Sequence, residues 1–370
     1  MGAAFATAQP AVAAATYTFS PTGPLATARG GATATLLPNG DVLIAGGAPN
    51  AFGAVASAEL YHFATGAFSA TGSMAAARGS ATATLLPDGN VLIAGGSPDG
   101  TNAVATAELY HPGLGTFTSA GPMATGRAAA TATLLTNGDV LVAGGKDSMG
   151  FVATAEIYHT GTGVFTSTGS LATARATATA SLLSTGKVLI AGGQGTTSYL
   201  NSAELFDPAS GTFSATTGAM GTARRKATAT VLNSGKVLIA GGKGTGGVYL
   251  VSAELYDPSA GTFAPTGNLM AARQFATATL LSSGTVLLAG GQGTGGAVIA
   301  SAELYNPATA TFAFTGSMAT ARQFATATLL RGGFVLVAAG TDGASPIPNA
   351  LSDAELYMSD GIFANGFEFP

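Results

Sequence analysis

Cysteine and tryptophan are both absent from the 370 residues, and charge is scarce: 14 Lys and Arg plus 18 Asp and Glu make up 9% of the chain, against roughly 25% in soluble domains. Without cysteine there is no disulfide, no thiolate nucleophile and no Cys-ligated zinc site. A net charge of −4 and a pI near 5.3 supply no basic face for a phosphate backbone, so nucleic acid is excluded as an expected partner. No stretch reaches the roughly 18 consecutive apolar residues of a spanning helix, so no membrane span is expected. Glycine is abundant, with 54 residues, and 47% of the chain is hydrophobic. Gly, Ala and Thr in such density could mean disorder, but the hydrophobic fraction is far above that of unfolded segments. A folded, turn-rich chain is expected, long enough to bury a core without disulfides or metal. Residues 1–15 are Ala-rich and carry no Lys or Arg. They read either as the remnant of a secretory signal that lacks a positive n-region or as a disordered start, and a secreted or cell-surface protein is the expectation.

Self-similarity accounts for nearly all of the rest. Each block runs from A-R through A-T-A-T-L-L, a short Gly turn, V-L-I-A-G-G, a variable loop, S-A-E-L-Y, another turn and a Phe-led segment ending in T-G-S-M. The leading arginines are Arg29, Arg78, Arg127, Arg175, Arg224, Arg273 and Arg322, at spacings of 49, 49, 48, 49, 49 and 49. The matching glutamates are Glu59, Glu108, Glu156, Glu204, Glu254, Glu303 and Glu355, giving seven units. Every unit holds four strand-length segments bounded by Gly, Pro, Asn and Asp, with no amphipathic helical stretch. Asn39-Gly40, Asp88-Gly89 and Asn137-Gly138 are strong hairpin turns between the first two strands, with weaker versions later. Seven four-stranded antiparallel sheets arranged radially make an all-β, seven-bladed β-propeller, which leaves only short protected edges.

The doublets Gly46-Gly47, Gly95-Gly96, Gly144-Gly145, Gly192-Gly193, Gly241-Gly242 and Gly290-Gly291, followed by the pair Tyr61 and Phe68 and its equivalents, resemble kelch-repeat propellers. The nearest likeness is to bacterial members with blades like those of the galactose oxidase propeller. The resemblance covers about residues 17 to 357. Phe replaces the family's usual Trp, and the seventh doublet reads Ala339-Gly340. The implied organisation is an N-terminal segment 1–16, a propeller over 17–358 and a tail over 359–370. The blades would span about 30–74, 79–123, 128–171, 176–220, 225–270, 274–318 and 323–358, the last completed by 17–25. Tyr17 to Gly23 matches a fourth strand and is expected to close the ring. Ile362 to Phe367 competes for the same slot, and otherwise packs outside or serves as an address.

Fourteen of the 32 charges are the repeated Arg and Glu. So regular a pair in apolar surroundings reads as structural, tying loops or neighbouring blades together; a ring of functional arginines is the alternative. His62, His111 and His159 occupy one repeated position, held later by Asp207, Asp257, Asn306 and Met358. They should lie too far apart to share a metal that needs ligands at about 2 Å. Gly242 to Gly247 and Gly291 to Gly296 match G-x-G-x-x-G but open no helix, so no dinucleotide site is read there. An enzyme like galactose oxidase would, by the resemblance, need copper held by His, Tyr and a Tyr-linked Cys. Sialidase-type propellers would need Asp-box turns ending in Trp. Neither set exists, and no His is placed for a serine triad.

Variation therefore marks the candidate site. After the leading Arg, blades five to seven carry Arg225-Lys226, Gln274-Phe275 and Gln323-Phe324, where the earlier blades carry Gly30-Gly31, Gly79-Ser80, Ala128-Ala129 and Ala176-Thr177. The loops after the Gly doublets carry Phe52, Asp99, Asn102, Lys146, Phe151, Tyr199, Lys243, Tyr249 and Asp342, with Pro346 and Pro348 in the longest. In kelch propellers both loop sets surround the channel mouth. The expected ligand contacts are Arg225, Lys226, Gln274, Phe275, Gln323, Phe324, Tyr199, Tyr249, Lys243 and Asp342. Phe275 and Phe324 could instead pack between blades, and Arg225 and Lys226 could be ordinary solvated charges. The expectation is a monomeric, non-enzymatic binding or adhesion module for a glycan or peptide, with no cofactor and no metal. A structural or protein-interaction scaffold, and a propeller enzyme using loop Asp and Arg residues, are the alternatives.

Overall fold

The computed structural model describes residues 17–50, 53–343 and 349–359. The Ala-rich segment, Phe52, Pro346, Pro348 and the tail from residue 360 lie outside the described residues. Seven four-stranded antiparallel sheets form a closed ring, together with a two-residue ribbon, Lys146–Asp147 against Gly150–Phe151. In the first blade the order from the axis outward is Thr33–Leu36, Val42–Ala45, Ala58–His62 and Ala67–Ala70. The other blades repeat this order, and each inner strand touches the inner strands on both sides. In the seventh blade the outer position is filled from the N-terminus: Tyr17–Thr22 pairs antiparallel with Ala354–Ser359, from Tyr17 opposite Ser359 to Thr22 opposite Ala354. The N-terminal strand thus closes the ring.

The second strand explains itself. Val42, Leu43, Ile44 and Ala45 are all buried because a blade is covered on both faces, so the strand reads as a continuous apolar run rather than an alternation. Leu43 and Ala45 pack with Val91, Ile93 and Tyr110 of the next blade, while Val42 and Ile44 pack with Leu336 and Ala338 of the seventh. Tyr61 tilts against Phe68 at 4.9 Å, opposite it across the third and outer strands. The Tyr110 hydroxyl reaches Thr71 of the preceding blade at 2.8 Å.

Each repeated Arg is no more than 1% exposed. Arg127 donates through Nη1 to the carbonyls of Gly144 (3.0 Å) and Thr154 (2.7 Å) and through Nη2 to Glu156 Oε1 (2.7 Å). Glu156 in turn accepts the backbone N–H groups of Ala124 at 2.7 Å and Thr125 at 3.2 Å, in the segment that enters the blade from its neighbour. The pair therefore pins the crossover between blades as well as the loop after the Gly doublet. Burial pulls the Arg127 guanidinium below its ordinary value, and Glu156 offsets this.

The doublet glycine has a steric cause. A Cβ on Gly144 would stand 2.5 Å from the Arg175 carbonyl oxygen of the next blade, at φ +66°. The second glycine, Gly145, donates its N–H to that same carbonyl at 2.8 Å. In the seventh blade Ala339 takes the strained position at φ +61°. The two G-x-G-x-x-G runs contain only three-residue turns, Thr245–Gly247 and Thr294–Gly296.

Candidate functional site

The residue after each leading Arg bridges to the residue after the Gly doublet of the same blade, as in Arg225 with Lys243, Gln274 with Gln292 and Gln323 with Thr341. This brings the two variable loop sets together on one face. One residue further on, Gly31, Ser80, Ala129, Thr177, Lys226, Phe275 and Phe324 all adopt left-handed backbone, with φ between 51° and 63°. Their backbones form a collar. Ser80 N–H donates to Gly31, Ala129 to Ser80, Thr177 to Ala129, Lys226 to Thr177, Phe275 to Lys226, and Gly31 to Phe324, at 3.0 to 3.2 Å. Between Phe275 and Phe324 the rings meet instead, with centroids 3.8 Å apart. Left-handed backbone costs about 1 kcal/mol or more per non-glycine residue, so the shape is imposed by closure of the ring. The collar surrounds a cavity of about 500 Å³.

The cations sort by place. The seven repeated arginines are buried on their glutamates, while Lys187 and Lys236 pair with Asp207 and Asp257 in outer turns, each at 3.0 Å. Arg331 donates to the Pro38 carbonyl. The remaining four, Lys146, Arg225, Lys226 and Lys243, have no carboxylate partner among the described residues, and all four belong to the mouth loops. Lys146 and Lys226 line the cavity itself. Arg225 lies over the Tyr199 ring at 4.5 Å and donates to Gln194 Oε1. Lys243 Nζ lies 4.6 Å from the Tyr249 ring centroid, and Lys226 Nζ lies 3.8 Å from that of Phe275. Partial burial, then Arg225 and Lys243, lower the Lys226 amine to about 8. Across the cavity Asp99 is held well below the usual carboxylate range by hydrogen bonds from Asn102 and Thr101.

The structure brings together Arg225, Lys226, Phe275, Phe324, Tyr199, Tyr249 and Lys243. Phe275 and Phe324 stand at the mouth, Phe324 with 38% exposure, and their rings pack against each other across neighbouring blades. Gln274, Gln323 and Asp342 are placed differently. Gln274 and Gln323 are only 3% and 4% exposed. Gln274 Nε2 donates to Gln292 Oε1 at 2.7 Å, and Tyr249 donates to that oxygen at 3.2 Å. Asp342 accepts from Asn349 N–H and Nδ2 at 3.0 and 3.1 Å and fastens its own loop. Lys146, Gln194 and Gln292 were not among the expected site residues. Their signal was position: each follows a Gly doublet, where Lys243 also sits.

The histidines lie at the outer turns. His62 Nδ1 meets Asp41 at 3.0 Å, His111 Nδ1 meets Asn90 at 2.9 Å and His159 Nδ1 meets Asp139 at 2.9 Å. Their other ring nitrogens contact Ser69, Thr118 and Thr166. Lys187 with Asp207 and Lys236 with Asp257 make the same turn contact with the charges exchanged.

No family model and no curated protein matches the sequence. Among solved structures, one described as a novel fungal alcohol oxidase with catalytic diversity among the AA5 family, in complex with copper, is similar in fold, with a TM-score of 0.77. The match covers 96% of this chain and 79% of that one, at 18% identity. The likeness establishes a shared propeller architecture. It overturns the expectation of a non-enzymatic binding or adhesion module, since an enzyme is built on this architecture and missing motifs alone do not exclude activity. Copper, however, does not fit the residues of this chain. Copper favours imidazole and thiolate ligands; cysteine is absent, each histidine is engaged in its own outer turn, and no group of three His, Asp or Glu among the described residues could hold a metal. No helix among the described residues is long and apolar enough to cross a membrane.

Proposed function

We propose that the protein is an enzyme whose substrate site is the channel mouth, and that the substrate is a small anion with a flat or sugar-like face. The carrying observation is the convergence on one mouth of four of the five cations that have no carboxylate partner among the described residues, in a chain whose net charge is −4. These cations hold an anionic group without giving up an existing ion pair. The exposed Phe324 ring offers an apolar surface to the rest of the ligand. The similarity to an alcohol oxidase propeller supports catalysis on this architecture, and the donor set supports a reaction that uses the chain's own groups. The Gly doublets, repeated Arg and Glu, and Tyr/Phe pairs support kelch-type blades. One chain builds the whole mouth, which supports a monomer, and the Ala-rich, Lys- and Arg-free residues 1–15 support export.

Incubation with a panel of 2-oxo acids, aldonates, uronates and neutral sugars, followed by thermal shift and NMR of the substrates, tests this. Acidic compounds should stabilise the protein by about 2.7 kcal/mol at 100 times Kd, less so at high salt, and one class should be consumed. Arg225→Met with Lys243→Met should abolish the shift. Stabilisation by neutral sugars alone, or no shift and no turnover with any compound, would overturn the proposal.

A further inference from the structure

We infer that Lys226 is a reactive amine that forms an imine with a small carbonyl compound bearing an anionic group, a 2-oxo acid by class; this rests on the mouth being an anionic substrate site. Three features of the geometry lead there. Lys226 lines the cavity, so its amine is reachable by a ligand. Its Nζ sits 3.8 Å from the Phe275 ring centroid, which keeps water from one side of the amine, and no carboxylate among the described residues pairs with it. Its chain neighbour Arg225 bridges to Lys243, so two cations stand beside it, and the site disfavours a third positive charge while attracting a carboxylate.

The amine accordingly titrates near 8, which leaves on the order of 100-fold more free base at neutral pH than on an exposed lysine. Desolvation beside further cations is a known route to a nucleophilic lysine. Arg225, over the Tyr199 ring and donating to Gln194, adds a fixed positive charge beside Lys226 that favours an anionic ligand. In the step itself the Nζ lone pair attacks the carbonyl carbon, forming C–N as the C=O π pair moves to oxygen and is protonated. The first N–H proton leaves to solvent to give the neutral carbinolamine; the nitrogen lone pair then forms C=N as the hydroxyl takes a proton from solvent and departs as water, and the second N–H proton returns to solvent. No oxidant or reductant is consumed, and water is the only leaving group.

Of the five lysines, Lys187 and Lys236 are ion-paired, which leaves Lys146 and Lys243 as controls within the mouth. The full chain is incubated with pyruvate and sodium cyanoborohydride and examined by intact mass and peptide mapping. Pyruvate binding is followed separately by saturation-transfer NMR, without reductant. The expected result is a single carboxyethyl group on Lys226, at an occupancy on the order of tenfold above any other lysine. Lys226→Arg should remove the adduct while keeping the melting temperature. Binding without an adduct, or labels spread evenly over the lysines, would overturn the imine and leave the anionic site standing. Absence of both binding and adduct would overturn both readings.

Discussion

Replacing Glu156 with Gln is nearly isosteric but removes the charge that neutralises Arg127. Arg127 is 1% exposed and Glu156 is 2% exposed, so no water can take over. Breaking a buried pair by removing one partner costs about 3–5 kcal/mol. The new amide adds a second fault. Glu156 accepts hydrogen bonds on both oxygens, from Arg127 and Thr125 on Oε1 and from Ala124 on Oε2. Whichever way the amide turns, its NH2 faces an N–H donor, and an unsatisfied buried donor costs about 1–3 kcal/mol. These costs share one network and do not add fully, so a loss of about 4 kcal/mol is expected. With an unfolding entropy of about 2.1 cal/mol/K per residue over 370 residues, that is a fall in Tm of about 5 °C. Urea unfolding followed by fluorescence and calorimetry would measure it. The double variant Arg127→Met with Glu156→Gln, which leaves no buried charge, should recover part of the loss. A cost under about 1 kcal/mol, or a double variant worse than the single one, would refute the claim that the buried pair holds the crossover.

Three further outcomes are expected. Deleting residues 1–23 strips the outer strand from the seventh blade and the Tyr17 and Phe19 rings from Tyr357, and should cost on the order of 5 kcal/mol; an unchanged calorimetric Tm would mean that another segment closes the ring. Gly144→Ala drives a Cβ to 2.5 Å from the Arg175 carbonyl and should destabilise by about 2 kcal/mol or more, whereas Ala339→Gly, at φ +61°, should be neutral or stabilising by up to about 1 kcal/mol; equal effects in urea melts would contradict the close approach. Lys226 titrates near 8 when folded against an ordinary 10.5, so the unfolded chain binds more protons between those values and wild-type stability rises with pH across that window. Lys226→Met should therefore be more stable than wild type below pH 8, and its advantage should shrink toward pH 10.5; a difference that does not change with pH would show that the amine is not perturbed.

The sequence by itself determined the architecture. A repeat of about 49 residues with Asn-Gly turns, an apolar second strand and a Tyr/Phe pair admits few other solutions, because each element is encoded locally and seven copies agree. The N-terminal closure was legible too, since Tyr17 to Gly23 reads as a fourth strand with no first strand before it. The candidate site was legible only as a region. Arg225 and Lys226 stood out by their charge among small residues, but nothing local distinguished Phe275, which lines the cavity, from its neighbour Gln274, which is buried. That choice belongs to the left-handed collar, which forms only when residues about 49 apart in sequence come within hydrogen-bonding distance around the axis. The meeting of Lys146 with Lys226 at one cavity, the loss of Asp342 to its own loop, and the crowding of Lys226 by Arg225, Lys243 and the Phe275 ring were likewise decided in tertiary structure. Charge repulsion and desolvation act through space, and ring closure alone sets those distances.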